Sequence, residues 1–208
     1  MDTRKKLLIV ISLLIVGMII ITSAYVILEI NPKNEVTENN PVSIDAIEQY
    51  GYTLENRDTA LYKSIFEELK SCLNKSEVDD EEYAKLVAKL YAVDLYTINN
   101  KVTKYDVGGV DFVYPEIKEN YELNVRDTIY KYVEDDSYNS REQELPEVKT
   151  VSIDDMIKTT YTLNEEKIDA YLIKMSLEYV KDLGYDAHLE LTLIKYDNKY
   201  YVVKSDVK

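Results

Sequence analysis

The chain has 208 residues, a formal net charge of −14 and a single cysteine. Almost all of the negative charge follows residue 30, because Arg4, Lys5 and Lys6 outnumber Asp2 and Glu29 before it. An acidic chain repels phosphate backbones and anionic head groups, which disfavours nucleic-acid binding and a flat association with an anionic membrane. One cysteine excludes an intramolecular disulfide and a cysteine-based metal site.

A hydrophobic segment covers residues 7–28 and contains no charged residue. Sixteen of its 22 residues are Leu, Ile, Val or Met. A helix of this length spans about 33 Å, which is enough to cross a hydrocarbon core of about 30 Å. We therefore predict one transmembrane helix at 7–28, preceded by a cytoplasmic stub at 1–6. A cleaved signal peptide is the alternative, because Thr22-Ser23-Ala24 is an acceptable cleavage site.

The flanks of the segment predict its direction. Positive residues stay on the cytoplasmic side of a membrane, so Arg4-Lys5-Lys6 place the N-terminus in the cytoplasm and the C-terminal part outside the cell. We expect a single-pass protein of the cell membrane. A polar linker over 29–42 is followed by one extracytoplasmic α+β domain over 43–208, which is long enough to bury its own core.

A short extended piece begins the domain, although residues 43–49 also fit a helical turn. The first helix is predicted over 58–73, with Asn56 or Asp58 as its cap. Cys72 falls on the apolar face of this helix. We interpret it as a small buried hydrophobe rather than a reactive thiol.

The second helix is predicted over 79–99. Its first turn carries four consecutive carboxylates, at 79–82, which complement the helix dipole and lack the spacing and the glycine of a calcium loop. A turn is predicted at Gly108-Gly109, without the Lys-Ser/Thr pair of a phosphate-binding loop. A third helix is predicted over 115–133, with proline in its first turn.

The second half of the domain alternates between apolar and polar residues, as strands do. Tight turns at 164–166 and at Asp197-Asn198 separate neighbouring strands. The predicted strands cover 147–162, 167–180, 187–196 and 199–206. We expect a four-stranded antiparallel meander whose one apolar face is covered by the three helices.

The sequence contains no motif typical of a catalytic, cofactor or metal site. Its one histidine, His188, is out of phase with the apolar residues of the third strand, so we expect it to face away from the core. The pairs Asp135-Asp136 and Asp154-Asp155 are interpreted as solvated. These observations favour a non-enzymatic domain without cofactor or metal.

The order of elements, helices first and then a curved meander, is similar to that of the cone-shaped nuclear-transport-factor-two-like fold. The overall plan resembles the inner-membrane scaffold subunit of type IV secretion and conjugation systems. A closer resemblance lies in three segments: YGYTLENRDTALYKSIFEELK at 50–70, DEEYAKLVAKLYAVDLYTINNKVTKYDVGGVDFVYPE at 80–116 and IYKYVED at 129–135. They resemble an uncharacterised family of membrane-anchored envelope proteins of low-GC Gram-positive bacteria, which implies no catalytic residue.

Two functions stay open from the sequence. The first is a protein-interaction module that docks other envelope proteins, in secretion or conjugation machinery, or associates with itself. Its predicted contact residues are Tyr50, Tyr52, Asp106, Gly108, Gly109 and Asp111, and we expect the two tyrosines and the Gly108-Gly109 loop to be exposed. The second is a small-ligand-binding or minor enzymatic domain with a cone-shaped pocket, which requires an open apolar cavity with one or two inward polar groups.

Overall fold

The computed structural model describes residues 39–207, so the predicted stub, the predicted span and the first part of the predicted linker lie outside the described residues. Within 39–207, no helix is both long enough and apolar enough to cross a membrane. The described chain is α+β, with three helices and a four-stranded antiparallel sheet, as predicted from the sequence.

A hairpin and two helices form the first half of the domain. β1 (Ser43–Ile47) pairs antiparallel with β2 (Tyr52–Glu55), so a helical turn over 43–49 is wrong. α1 covers Ala60–Leu73 and α2 covers Asp80–Tyr96. The carboxylate of Asp79 accepts from two backbone N–H groups in the first turn of α2, which confirms a capping role for this acidic cluster.

The cap of α1 differs from the prediction. The hydroxyl of Thr59 accepts from the backbone N–H of Tyr62 at 3.2 Å, so Thr59 caps the helix. A cap by Asn56 or Asp58 is therefore wrong. The carboxylate of Asp58 accepts instead from the backbone N–H of Glu55 at 2.7 Å.

The third helix is shorter than predicted. Two 3₁₀ turns, Val110–Phe112 and Pro115–Ile117, lead into α3, which covers Lys118–Asp127 and ends before residue 133. Tyr130 follows with 0% exposure, and its hydroxyl donates to the carbonyl of Leu95 at 2.8 Å. Burying this ring against α2 turns the chain inward, and this contact outweighs continuation of the helix.

The main sheet contains four strands in chain order, and every neighbouring pair is antiparallel. The strands are β3 (Val148–Leu163), β4 (Glu166–Tyr179), β5 (His188–Tyr196) and β6 (Lys199–Val207). Positive φ angles occur at Asn164, Glu165, Asp197 and Asn198. Two consecutive residues of positive φ are what a two-residue type I′ turn requires, so both predicted hairpin turns are confirmed.

The core lies between the helices and one face of the sheet. α2 is its centre, with Leu86 and Leu90 buried on the helix and Ile173, Met175 and Leu191 buried on the sheet face opposite. Removal of these side chains from water is the main favourable contribution to folding.

The other face of the sheet is also partly covered, so the expectation of one apolar face is incomplete. Leu193 and Ile194 are consecutive in β5 and therefore point to opposite faces, yet both have 0% exposure. Ile194 belongs to a second, smaller buried cluster with Tyr114, Ala170 and Val203.

Candidate binding site

A groove of about 530 Å³ opens between α2, α3 and β6. Leu95, Val125 and Val202, one from each of these elements, line it and are buried. Asn120 and Asn124 line it from α3 and are exposed to solvent. A mostly apolar interior, a polar rim and a volume within about 300–1,000 Å³ are typical of sites that bind a ligand.

Two tyrosines supply inward polar groups in the groove. Tyr91 of α2 is 1% exposed and Tyr121 of α3 is half-buried, with ring centroids 6.0 Å apart. Burial raises the pKa of both hydroxyls above the ordinary value of a tyrosine. Both hydroxyls therefore stay neutral at physiological pH and act as hydrogen-bonding groups rather than as bases.

The Gly108-Gly109 turn packs directly behind these tyrosines. A Cβ at Gly108 would lie 2.1 Å from the carbonyl oxygen of Asp94, so this position has no room for a side chain. Gly109 has φ +79°, and its Cβ would lie 2.6 Å from the hydroxyl of Tyr121 and 2.9 Å from the ring of Tyr91. The two glycines allow the loop to contact α2 and the groove tyrosines at once.

The outer edge of β6 borders the groove. Residues 202–205 line it consecutively, and since consecutive strand residues point to opposite faces, they meet one cavity along the edge of the strand. Val113 bridges Val202 in parallel, and the N–H of Tyr114 donates to the carbonyl of Val202 at 3.1 Å. In the described part of the chain, no further backbone hydrogen bond outside the β5–β6 ladder reaches residues 203–207.

A second cavity, polar and about 190 Å³ in volume, lies near the C-terminal end of α2. Arg57 pairs with Asp106 through both terminal nitrogens, and Nη2 lies 2.9 Å from Oδ1. Lys101, whose side chain is 3% exposed, pairs with Asp94. Burial raises the pKa of Asp58 in the same cavity from 3.8 to about 6. Because both cations are paired with carboxylates, we interpret the cavity as an internal connection between loops.

Three of the six predicted contact residues are buried: Tyr52, Gly108 and Gly109. The other three are half-buried: Tyr50, Asp106 and Asp111. The expected exposure of the buried three is wrong, because Tyr52 stacks on Phe112 at 5.2 Å and the glycines face α2. Asp111 accepts from the hydroxyl of Thr53 at 3.1 Å. Contact of these residues with a partner stays a prediction.

Predictions for single residues are mostly confirmed. Cys72 is 2% exposed, and burial raises the pKa of its thiol. His188 is exposed and lies 3.0 Å from the hydroxyl of Ser176. Asp154-Asp155 are exposed, but Asp136 is half-buried and accepts from the N–H of Arg141 at 2.9 Å.

Over residues 39–207, no group of three or more His, Cys, Asp or Glu side chains is arranged to hold a metal ion.

The groove itself was not predicted as a site. Tyr91 belongs to the helical apolar pattern, but its role as a groove residue depends on Tyr121 and Ser205, which are distant in sequence. The one local signal was the Gly108-Gly109 pair. Neither glycine has room for a side chain, and the loop that they form lies behind the groove tyrosines.

Comparison of the chain with protein-family models, with curated proteins and with solved structures gives no match. A fold by itself does not specify a function, whereas the geometry of a site restricts it. The groove between α2, α3 and β6 is therefore the basis of the functional proposal.

Proposed function

We propose that this chain is a membrane-tethered, extracytoplasmic interaction module that binds an extended segment of another envelope protein in the groove. The observation that carries the proposal is an apolar groove lying directly beside an open strand edge. An extended segment that adds to β6 would pair its backbone with residues 203–207 and insert alternate side chains into the groove. Main-chain hydrogen bonds would supply affinity, and the groove would supply specificity.

The tether is supported by the sequence alone. The uncharged segment at 7–28 is long enough to span a bilayer, and Arg4-Lys5-Lys6 precede it. The resemblance to membrane-anchored envelope proteins is in keeping with this location. Secretion or conjugation machinery is the kind of assembly in which such a module would act.

We also propose that the domain has the cone-shaped nuclear-transport-factor-two-like arrangement. Three helices precede a four-stranded antiparallel sheet whose strands follow chain order, and the groove opens between the helices and the sheet. This order and this position of the groove support the assignment.

In-cell photo-crosslinking tests the interaction. A photoreactive amino acid replaces Asn124 at the groove rim, and the matched control replaces Lys149, which is exposed on the opposite edge strand β3. We expect one reproducible partner peptide, identified by mass spectrometry, from position 124 and none from position 149. Adding Ser205→Trp, which fills the groove, should abolish the adduct while the melting temperature of the purified protein stays unchanged.

Absence of any adduct at 124, or the same adducts at 124 and 149, would contradict the proposal.

A second candidate, an apolar small molecule, is favoured by the groove volume of about 530 Å³ and by the hydroxyls of Tyr91 and Tyr121. Solvent extraction of the purified protein followed by mass spectrometry separates the two. A stoichiometric apolar molecule that Ser205→Trp displaces would establish the second candidate.

A further inference from the structure

The first described residue is attached to one end of the domain. The N–H of Asn39 donates to the carbonyl of Ser137 at 2.8 Å, and its side-chain amide donates to the carbonyl of Asp136 at 3.3 Å. The N–H of Asp136 donates in turn to the carbonyl of Val102 at 2.8 Å. Two loops, 100–107 after α2 and 131–141 after α3, therefore lie side by side where the preceding chain joins the domain. We name them the proximal loops.

The proximal loops carry three exposed aromatic residues. Tyr105, Tyr132 and Tyr138 are 67%, 75% and 58% exposed. The ammonium nitrogen of Lys104 lies 5.2 Å from the ring centroid of Tyr105, and that of Lys131 lies 5.1 Å from the ring centroid of Tyr132. Tyrosine rings with a polar tip, accompanied by long cationic side chains, are the residues that proteins present to the interface between lipid and water.

We infer that the proximal loops rest in the headgroup layer of the membrane that the chain crosses. This inference depends on the proposed tether. The predicted span ends at residue 28, and ten residues separate it from Asn39. Ten residues reach at most roughly 35 Å in any conformation. Asn39 and the loops that hold it therefore stay within roughly 35 Å of the end of the proposed span.

The charge of the chain decides which lipid surface the loops fit. With a net charge of −14, the protein is repelled by anionic headgroups. Asp136 lies near the Arg141 guanidinium and Asp106 is paired with Arg57. Glu134 and Asp135 are exposed and add negative charge, which offsets the positive charge of Lys104 and Lys131. The loops therefore suit a zwitterionic headgroup such as phosphatidylcholine, held by the tyrosine rings and not by net charge.

Tryptophan fluorescence tests this contact, because the chain contains no tryptophan and one substituted residue reports its own position. Full-length Tyr105→Trp and Tyr132→Trp proteins are reconstituted in phosphatidylcholine vesicles, with and without bromine on the acyl carbons nearest the headgroup. We expect brominated lipid to lower the emission at least twofold at both positions. Added phosphatidylglycerol should reduce this quenching.

Tyr196→Trp is the matched control, since Tyr196 is 45% exposed. Its neighbour Lys195 lies 2.5 Å from the carboxylate of Asp80, at the N-terminal end of α2. Tyr105 follows the C-terminal end of the same helix, which has 17 residues and a length of about 25 Å. Positions 196 and 105 therefore lie near opposite ends of α2. Emission from position 196 should be the same in both kinds of vesicle.

Equal emission with and without bromine at positions 105 and 132, from a chain that resists alkaline carbonate extraction, overturns the inference and leaves the tether standing. Quenching of similar size at 105, 132 and 196 also overturns it, because the contact would then not be a property of the proximal loops. A chain that carbonate removes from the vesicles overturns the tether, and the inference with it.

Discussion

Charged side chains inside the polar cavity show how single residues set the electrostatics of this domain. Arg57 and Lys101 are each paired with a carboxylate. Among residues 39–207, Asp58 forms no ion pair, and burial is the main cause of its raised pKa. Burial penalises the ionised form of a carboxyl group, so ionised Asp58 opposes folding where the paired carboxylates do not.

We expect Asp58→Asn to stabilise the protein above pH 6. The carboxyl titrates near 3.8 when unfolded and at about 6 when folded, so its contribution favours folding at low pH and is lost as the pH rises through about 6. With allowance for partial solvent screening, the gain from the substitution is about 1 kcal/mol at pH 7.5 and near zero at pH 4. Urea unfolding of the full chain in detergent micelles at both values measures it.

The exposed Glu142→Gln variant serves as the control for this substitution. It removes a carboxylate without touching the cavity and should change the free energy of unfolding by less than about 0.5 kcal/mol at either pH. A stability difference between Asp58→Asn and the wild type that is the same at pH 4 and pH 7.5 would show that Asp58 does not titrate differently in the folded state.

At the scale of elements, local rules and tertiary contacts compete. The hairpin turns mostly follow local rules, because Asn164, Asp197 and Asn198 tolerate positive φ, and Glu165 is the exception. The end of α3 does not follow them, since the predicted helix continues to 133 while the burial of Tyr130 ends it at Asp127. The cap of α1 lies between these cases. Three polar residues near its start, Asn56, Asp58 and Thr59, are candidates for the cap, and only the hydroxyl of Thr59 accepts from a backbone N–H in the first turn.

The β3–β4 turn allows a direct test of the local rule. Glu165 has φ +70°, and a residue with a Cβ is disfavoured there by roughly 1 kcal/mol relative to glycine. Glu165→Gly should therefore raise the free energy of unfolding by about 1 kcal/mol, measured by urea unfolding. Asn164→Gly, at φ +49°, should have a smaller effect because asparagine tolerates this region. Destabilisation by Glu165→Gly would mean that its side chain makes a contact that outweighs the backbone gain.

For the whole molecule, the decisive prediction concerns attachment to the membrane. The full chain should stay with the membrane fraction after alkaline carbonate treatment and be released by detergent, because an uncharged segment of 22 residues at 7–28 partitions into hydrocarbon. External protease should digest the domain in intact protoplasts. A mature protein that begins near Tyr25 and appears in the medium would instead establish a cleaved signal peptide.

The sequence by itself determined the class of the domain and most of its elements. Periodicity of 3.6 or 2 residues is a local property that each segment carries alone, so the helices, the four strands and the hairpin turns could be predicted. The same local logic placed Cys72 on a buried helical face and His188 on an exposed strand face.

Only the tertiary structure decided where a binding site lies. The groove joins Tyr91, Tyr121 and Ser205, whose proximity depends on how α3 packs beside β6, and no local pattern encodes that contact. Tyr52 and Gly108-Gly109 looked available in sequence, yet packing against Phe112 and α2 buries them. Burial and proximity depend on contacts between distant segments, whereas a helix or strand pattern is contained within one segment. The elements could therefore be predicted from the sequence, and the site could not.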